Sequence, residues 1–455
     1  MNERYHFIGI GGIGMSGIAQ LLIARGGKVS GSDVRENAMT QLLAGLGARI
    51  SIGHAAGNIA DADYVVYSSA VKEDNPEMRE ARRRGIPVMQ RAEALARLMR
   101  DKKVICVTGS HGKTTTTSLV SHMLLEARLS PTVAIGGNLK NINANALVGE
   151  GDFFCAEADE SDGSFLHYSP LYSIITNVDR EHLDHYGTFD AVIAAYAAFM
   201  ERTRPGGCLF CCGDDENLVR LCRSHQGRRV LFGLGAACDV SARNIRIEGL
   251  SSVFDCVCGG RQTGTFRLSA GGLHNISNAL SVIALGDELR IDRAVITRAL
   301  ETYKGAGRRL DVKWHGMELM VIDDYAHHPT EIKATLAAVR NLQCKRLIAV
   351  FQPHRYSRTR LLLDDFASCF DAADLVFLTD IYPAGEQPIP GVTPECVRDA
   401  IRKHSAGKQV EVIPKSGLTE HVRRILEPGD IVLMLGAGDI TRISDELAAE
   451  LSGSV

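Results

Sequence analysis

Residues 103–118 read KVICVTGSHGKTTTTS, an apolar run rich in Val and Ile that leads into a glycine loop and then a helical pattern. A strand, a glycine loop and a helix in this order form a cradle whose backbone N–H groups bind phosphate. The loop departs from the standard pattern because two residues, and not four, separate Gly109 from Gly112. Lys113 would neutralise the β- and γ-phosphates of ATP, and the hydroxyl of Thr114 would reach Mg²⁺. The predicted ATP-binding residues of the loop are Gly109, Ser110, His111, Gly112, Lys113, Thr114 and Thr115.

A strongly acidic segment follows another apolar run. Residues 156–162 read AEADESD and hold four carboxylates directly after the run at 153–155. Because α/β sheets bind ligands beyond the carboxyl ends of their strands, these carboxylates predict an Mg²⁺ site, with a solvated acidic turn as the alternative. A further predicted strand at 172–176 leads into NVDREHLD, in which His182 is a candidate metal ligand. Spacing alone leaves a structural role for His182 equally open.

A second glycine loop lies near the N-terminus. It has the spacing Gly9-x-Gly11-x-x-Gly14 after a short apolar run, and it leads into a helical pattern. Asp33 ends the next predicted strand, where its carboxylate would bind a ribose hydroxyl. Such a loop recognises a diphosphate, so NAD and a UDP-sugar both fit, and a turn needed only for packing is a further alternative. The predicted nucleotide-sugar residues are Gly9, Gly11, Gly12, Gly14, Ser32 and Asp33.

The remaining pattern is that of alternating strands and helices. Glycine accounts for 45 of the 455 residues and clusters at the ends of apolar runs. Runs at 347–351 and 431–435 fit parallel strands buried on both faces. At about 150 residues per domain, the length predicts about three domains, and polar linkers lie near residues 99 and 308. We therefore predict an α/β protein with domains at residues 1–98, 99–307 and 308–455.

Composition excludes several classes of protein. The 51 Lys and Arg residues against 54 Asp and Glu residues give a net charge of −3, so no basic excess exists for binding nucleic acid or an anionic membrane. No run approaches the roughly 18 apolar residues of a spanning helix, and the first residues do not read as a signal peptide. We expect a cytoplasmic protein. Its cysteine clusters at 208–212 and 256–258 read as apolar strands, so we expect core packing and not zinc.

Taken together, the motifs resemble those of the Mur ligases of peptidoglycan synthesis, in family order and over the whole chain. The segments that carry the resemblance are GIGGIGMSG (9–17), TGSHGKTTTT (108–117), EADESDGSFL (157–166), TNVDREHLDHY (176–186), GLHNISNAL (272–280), GAGRRLD (305–311), DDYAHHPTEI (323–332), FQPHRYSRT (351–359) and LGAGDI (435–440). The resemblance implies a Rossmann-like N-terminal domain that binds UDP, a central P-loop ATPase-like domain and a Rossmann-like C-terminal domain that binds an amino acid.

By motif position, the resemblance also implies roles for individual residues. The implied metal ligands are Thr114, Glu157 and His182. The residues implied to contact ATP from outside the loop are Asn275, Asn278, Arg309 and Asp324. The residues implied to receive the amino acid are Tyr325, His327, His354, Arg355 and Arg358. The implied catalytic set is Lys113, Glu157, His182, Arg309 and Asp324. As alternatives, Arg308-Arg309 is an ordinary charged linker and His327-His328 simply precedes a helix begun by Pro329; Ala326 departs from the more usual Gly.

The reaction that the resemblance implies joins L-alanine to the carboxylate of UDP-N-acetylmuramate. ATP, with two Mg²⁺ ions, phosphorylates the carboxylate, and the amine of alanine displaces phosphate from the acyl phosphate. A ligase that recycles a tripeptide onto the same UDP-sugar is one alternative, although it usually has Cys-Gly-Thr where this chain has Gly12-Ile13-Gly14. A nucleotide-binding regulator is another. We expect a monomer or a weak homodimer.

One prediction follows from the lysine content. Several Mur ligases position a metal with a carbamylated lysine after the histidine motif, but residues 141–303 of this chain contain no Lys. Arg cannot take up the carbamate because its guanidinium stays protonated. We therefore expect the second Mg²⁺ to be held by His182, substrate oxygens and water, and activity to be independent of dissolved carbon dioxide. Rigorous removal of bicarbonate should leave the rate unchanged; a loss restored by adding bicarbonate back would contradict this.

Overall fold

The computed structural model describes residues 3–68, 71–316 and 318–453. Their contacts divide the chain into two units. The first unit comprises residues 1–243, 256–264 and 277–304, and the second comprises residues 244–255, 265–276 and 305–455. Three sheets flanked by helices confirm the predicted α/β class. The boundaries near residues 99 and 308 remain predictions.

The first sheet is a parallel sheet with the strand order β3-β2-β1-β4-β5, which is the Rossmann order 3-2-1-4-5-6 without its sixth strand. Its strands are β1 (Arg4–Ile8), β2 (Lys28–Asp33), β3 (Arg49–Ile52), β4 (Tyr64–Tyr67) and β5 (Val88–Gln90). Its helices are α1 (Ile13–Ala24), α2 (Ala38–Gly45), α3 (Pro76–Arg83) and α4 (Arg91–Leu98). The N-terminal glycine loop therefore connects β1 to α1, as predicted.

The second sheet has ten strands in the order β15-β14-β13-β12-β11-β10-β6-β9-β7-β8. The strands are β6 (Lys103–Thr108), β7 (Thr132–Leu139), β8 (Ala144–Leu147), β9 (Phe153–Glu157), β10 (Tyr172–Ile175), β11 (Cys208–Cys212), β12 (Arg229–Gly233), β13 (Val240–Glu248), β14 (Ser251–Cys258) and β15 (Arg261–Leu268). The helices are α5 (Lys113–Glu126), α6 (Leu183–Tyr186), α7 (Phe189–Met200), α8 (Glu216–Ser224), α9 (Leu273–Glu288) and α10 (Arg293–Glu301). Strand β6 lies between β9 and β10 and is parallel to both.

The third sheet has the order β16-β17-β21-β18-β19-β20, in which only the β16–β17 pair is antiparallel. The strands are β16 (Asp311–Gly316), β17 (Leu319–Asp324), β18 (Arg346–Phe351), β19 (Leu375–Leu378), β20 (Gln409–Val412) and β21 (Asp430–Leu435). The helices are α11 (Pro329–Arg340), α12 (Tyr356–Leu361), α13 (Leu363–Cys369), α14 (Pro394–His404), α15 (Lys415–Ile425) and α16 (Ile440–Gly453).

Both faces of the third sheet are buried, as its apolar runs predict. Leu347, Ala349 and Phe351 of β18 belong to one hydrophobic cluster, and the alternating residues Ile348 and Val350 belong to another. Successive side chains of a strand point to opposite faces, so helices on each side cover one cluster. The cysteines of β11 are likewise buried and reduced, as expected for core packing. None of the described helices is long and apolar enough to cross a membrane.

Close packing at Gly31 yields a test of the first sheet. A Cβ atom at Gly31 of β2 would lie 2.5 Å from Cδ1 of Ile10 and 2.8 Å from the carbonyl oxygen of Phe7, whereas a Cβ at Gly45 of α2 would meet nothing within 4 Å. We expect Gly31→Ala to lower the free energy of unfolding by about 1–3 kcal/mol. Gly45→Ala, the matched control, should raise it by about 0.5–1 kcal/mol because Ala favours helix. Equal stabilities of the two variants in urea denaturation would contradict this packing.

Candidate active site

The loop between β6 and α5 has the backbone of a phosphate cradle and requires both of its glycines. Gly109 and Gly112 have φ values of +136° and +83°, in the left-handed region that glycine favours. A Cβ at Gly109 would lie 2.1 Å from Oγ1 of Thr176, and one at Gly112 would lie 2.8 Å from Oδ1 of Asn278. Asn278, which the family resemblance implies to contact ATP, therefore lies directly against the loop.

The residues after β10 hold this loop in place. The backbone N–H of His111 donates to Oδ1 of Asn177 at 2.7 Å, and Nδ2 of Asn177 donates to the carbonyl of His111 at 3.0 Å. The backbone N–H of Asp179 donates to Oγ of Ser110 at 2.8 Å. Neither Asn177 nor Asp179 is among the predicted site residues, although both lie in the motif at residues 176–186. Their contacts assign them to support of the phosphate loop.

Lys113 is the cation of the loop, and its ammonium group is paired with Glu160. Nζ of Lys113 lies 2.8 Å from Oε1 of Glu160 and donates to the carbonyl of Gly109 at 2.7 Å. Burial alone would lower the pKa of Lys113, but Glu160 and then Asp159 raise it above its ordinary value. The ammonium therefore stays charged. Glu160, whose side chain is only 1% exposed, was not singled out from its acidic segment by sequence reasoning.

The predicted ligands Thr114 and Glu157 lie together at the first turn of α5. The hydroxyl of Thr114 donates to Oε2 of Glu157 at 3.0 Å, and the backbone N–H of Gly136 donates to the same oxygen at 2.9 Å. A Cβ at Gly136 would lie 2.7 Å from both carboxylate oxygens, so the strand makes room for Glu157. A hydroxyl and a carboxylate are hard oxygen ligands of the kind that Mg²⁺ prefers.

A second group of ligand atoms comes from Glu160, Glu181 and His182, which lie within 4.8 Å of one another. Nε2 of His182 lies 3.4 Å from Oε1 of Glu160 and 3.8 Å from Oε2 of Glu181. His182 adopts a left-handed backbone with φ of +58° just before α6, a conformation that is uncommon for residues other than glycine. Two carboxylates and an imidazole fit a divalent cation. The sequence predicted His182 here but missed Glu181.

Asp159 connects this acidic segment to the first sheet. Its Oδ2 lies 3.3 Å from Nη2 of Arg91 in α4. Burial alone would raise the pKa of Asp159, but Lys113 and then Arg91 lower it to about 2. A Cβ at Gly14 of the N-terminal loop would lie 2.3 Å from Nη1 of the same Arg91. Arg91 therefore lies next to both the acidic segment after β9 and the N-terminal glycine loop.

The N-terminal glycine loop is held by the acidic residue that the sequence predicted for a ribose. The backbone N–H of Gly11 donates to Oδ2 of Asp33 at 2.8 Å, and Gly9 has a φ of +78°. Gly12 is the N-cap of α1 with an extended backbone. Asp33 therefore positions the loop in this structure, and its contact with a ribose remains a prediction.

Ser32 leads to a buried carboxylate that sequence reasoning missed. Its hydroxyl donates to Oε2 of Glu77 at 2.6 Å, and Asn58 donates to Oε1 of Glu77 at 2.5 Å. Glu77 is fully buried; burial would raise its pKa, but hydrogen bonds from His6, Ser32 and Asn58 lower the pKa to about 2. The hydrogen-bond partners of Glu77 are distant from it in the sequence, so no local pattern predicts these contacts.

In the second unit, Asp324 and Arg309 lie around Tyr325. Asp324 accepts hydrogen bonds from the backbone N–H groups of Leu310 at 2.7 Å and Ala326 at 2.9 Å. Burial raises the pKa of Asp324 to about 6, against the lowering effect of Arg309. The guanidinium of Arg309 lies 5.1 Å from the ring centroid of Tyr325. The two charged residues of the predicted pair are thus neighbours, and their contact with ATP remains a prediction.

The predicted amino-acid residues form a chain of aromatic and charged groups. The ring of His327 lies 5.4 Å from Tyr325 and 5.5 Å from His354, and Nδ1 of His354 accepts from Arg358 at 3.0 Å. Burial, reinforced by His327 and Arg358, lowers the pKa of His354 to about 2, so its imidazole is neutral. Arg355 precedes α12 with a φ of +67°.

Glu331 is a further residue of this cluster, and it was missed. Its Oε2 accepts from the backbone N–H groups of His327 at 3.1 Å and His328 at 3.3 Å, and its Oε1 lies 3.7 Å from Nη1 of Arg309. His328 is the N-cap of α11 and accepts from the N–H of Thr330. The helix-start interpretation therefore holds for His328.

Asn275 is predicted to contact the nucleotide. In this structure, its side-chain amide donates to the carbonyl of Gly271 at 2.7 Å.

Comparison with known proteins matches the three sheets in turn. Sequence profiles of the Mur ligase family catalytic domain, the Mur ligase middle domain and the Mur ligase glutamate ligase domain match residues 4–103, 107–286 and 308–438. The chain therefore belongs to the Mur ligase family.

Full-length relatives carry a more specific name. The UDP-N-acetylmuramate--L-alanine ligase of Anaeromyxobacter dehalogenans is 47% identical over 98% of each chain, and that of Geobacter sulfurreducens is 46% identical over 99% of this chain and 98% of its own. Among solved structures, the UDP-N-acetylmuramate-alanine ligase of Thermotoga maritima superposes with a TM-score of 0.84 at 32% identity, covering 99% of this chain and 100% of its own.

The ion pair between Lys113 and Glu160 can be tested directly. We expect Glu160→Gln to lower ATP-dependent turnover by about 10²-fold, the size typical of losing one group that orients the transition state. Asp152→Asn is the control, because Asp152 pairs with Lys103 at the exposed end of β6. It should retain full turnover. Parent-like turnover of Glu160→Gln would show that the carboxylate only fills space beside the loop.

Proposed function

We propose that the chain is an ATP-dependent ligase that joins L-alanine to the carboxylate of UDP-N-acetylmuramate, releasing ADP and phosphate, in peptidoglycan synthesis. The observation that carries the proposal is full-length identity of 45–47% to relatives of that name. The phosphate loop and two nearby groups of candidate metal ligands support it. The matches to these relatives cover 98% and 100% of this chain, so the likeness extends over the sequence of all three sheets.

The chemistry begins with transfer of a phosphoryl group. A carboxylate oxygen of the muramyl group attacks the γ-phosphorus of ATP, the bond to the β-phosphate oxygen breaks, and ADP leaves with that electron pair. Lys113, which stays charged beside Glu160, would turn to the phosphate oxygens and stabilise the charge that develops there. The backbone N–H groups of the loop and of the start of α5 would bind the β-phosphate.

Magnesium would be held by two groups of residues. Thr114 and Glu157 fit one ion, and His182 with Glu160 and Glu181 fits a second; the number of ions is part of the proposal. When bound, Mg²⁺ withdraws charge from the phosphate oxygens. Asn275, Asn278, Arg309 and Asp324 are proposed to contact ATP, the glycine loop and Ser32 the UDP-sugar, and the cluster of His327, His354 and Arg358 the amino acid.

The second step forms the amide. The amine of alanine attacks the acyl carbon, the bond from carbon to the phosphate oxygen breaks, and phosphate leaves while the new amide loses a proton. Arg358 and Arg355 supply positive charge that suits the carboxylate of an incoming amino acid. Because ATP and nucleotide sugars are cytoplasmic substrates in this proposal, the expected location is the cytoplasm. A monomer or weak homodimer remains a prediction.

The decisive experiment identifies the products of ATP cleavage and measures whether their release requires both substrates. We expect ADP and phosphate to be released only when UDP-N-acetylmuramate and L-alanine are both present, because the amine captures the acyl phosphate. A Lys113→Ala preparation, purified in parallel, provides the background. Release of AMP and pyrophosphate would refute the mechanism. Turnover with an alanyl tripeptide but not with alanine would indicate the recycling ligase, and ATP hydrolysis that ignores both substrates would indicate a regulator.

A further inference from the structure

Helix α7 buries one tyrosine beside the second group of metal-ligating side chains. Val192, Tyr196 and Phe199 form a buried stripe along the helix, and Tyr196 is 0% exposed. Its ring packs edge-on against Phe165 with centroids 5.7 Å apart, and Phe165 stacks on Phe199 at 4.9 Å. These aromatic contacts fix the direction of the ring, so the position of the hydroxyl is set by the fold.

The hydroxyl of Tyr196 is a buried polar group that needs explanation. Its oxygen is fully buried, and within residues 3–68, 71–316 and 318–453 it makes no hydrogen bond of acceptable geometry, although the side chain of Ser110 lies beside it. Burial of an unpaired hydroxyl is unfavourable, and the great majority of buried polar side-chain atoms in native proteins are paired. A phenylalanine would make the same aromatic contacts without this penalty. The hydroxyl therefore points to a partner that comes into hydrogen-bonding position only when the site is occupied.

The surroundings of the phenol identify the kind of partner. Its electrostatic neighbours are Glu160 and Glu181, and it lies beside Ser110 of the phosphate loop. Burial, and then Glu160, raises the pKa of Tyr196 well above its usual range, so the hydroxyl keeps its proton and acts as a donor. Oγ of Ser110 already accepts the backbone N–H of Asp179 at 2.8 Å. Among these neighbours, the carboxylate oxygens of Glu160 and Glu181 are the stronger acceptors.

Glu160 is the carboxylate whose donors must change when the site fills. Its Oε1 lies 2.8 Å from Nζ of Lys113, and Lys113 is the residue proposed to turn to the phosphates. When that happens, a buried carboxylate would lose its closest cationic donor and would be free to ligate a cation together with His182. Metal-ligating carboxylates are usually held by hydrogen bonds from residues behind them.

We propose that Tyr196 is a positioning residue whose hydroxyl donates to the Glu160–Glu181 carboxylate pair when nucleotide and a divalent cation are bound. The hydrogen bond holds those carboxylates in the orientation that ligates the cation together with His182. This inference rests on the proposed function, because it assumes that the cluster binds the cation of a nucleotide complex.

The test is Tyr196→Phe, which removes one oxygen atom and keeps the ring. Without ligands, the variant should melt at or above the parent temperature. With a non-hydrolysable ATP analogue present, Mn²⁺ affinity measured by electron paramagnetic resonance should fall about tenfold, the lower end of effects seen for residues behind metal ligands. The kcat should fall by a similar factor, while KM for the UDP-sugar stays unchanged.

Tyr5→Phe is the matched control. Tyr5 is also a buried tyrosine, but its hydroxyl donates to Glu3 at 2.5 Å within the first sheet. This variant should lose some thermal stability and keep parent-like Mn²⁺ affinity, the opposite pattern from Tyr196→Phe.

Two results would overturn the proposal. Parent-like Mn²⁺ affinity of Tyr196→Phe would show that the hydroxyl does not act on the carboxylates, and a lower melting temperature or failure to fold without ligands would show that it is structural. Failure of the proposed function is separately visible: a parent protein without ligase activity refutes the ligase, whereas the difference in Mn²⁺ affinity still decides the role of Tyr196.

Discussion

The site depends on the parallel register of three strands. Val107 of β6 lies opposite Glu157 of β9, and Thr108 lies opposite Ile175 of β10, so all three strands end at the same edge of the sheet. The residues that follow them are the phosphate loop, the acidic segment and the histidine segment. Antiparallel pairing would send these segments to opposite edges, and Lys113, Glu160 and His182 would never meet. The geometry of the candidate site is first a consequence of strand direction.

Sequence reasoning succeeded where function leaves a local pattern. The glycine spacings, the Gly-Lys-Thr core and the run of carboxylates each occupy a few consecutive residues, and their placement between strands and helices was predicted correctly. It failed where a role depends on the path of a loop. Four carboxylates lie in residues 157–162, and only the fold shows that Glu157 pairs with Thr114 while Glu160 pairs with Lys113.

Glu77 and Glu331 were missed for a different reason. Glu77 lies in an ordinary helical pattern, and its partners Ser32 and Asn58 come from separate segments of the chain. Glu331 reads as the capping residue of α11, which it is, but the same carboxylate also lies near Arg309. When a local pattern already explains a residue, the sequence gives no sign that the residue has a second role. Only the contacts reveal that the carboxylate of Glu331 both caps α11 and lies beside Arg309.

The contact between Gly112 and Asn278 has a consequence for biosynthesis. The phosphate loop is translated early, yet the side chain that packs against it lies more than 160 residues later, in α9. A nascent chain that has emerged only as far as β12 contains the complete loop motif but lacks Asn278, the residue that packs against Gly112. N-terminal fragments that end before α9 therefore contain the complete loop motif without the Asn278 side chain that packs against it.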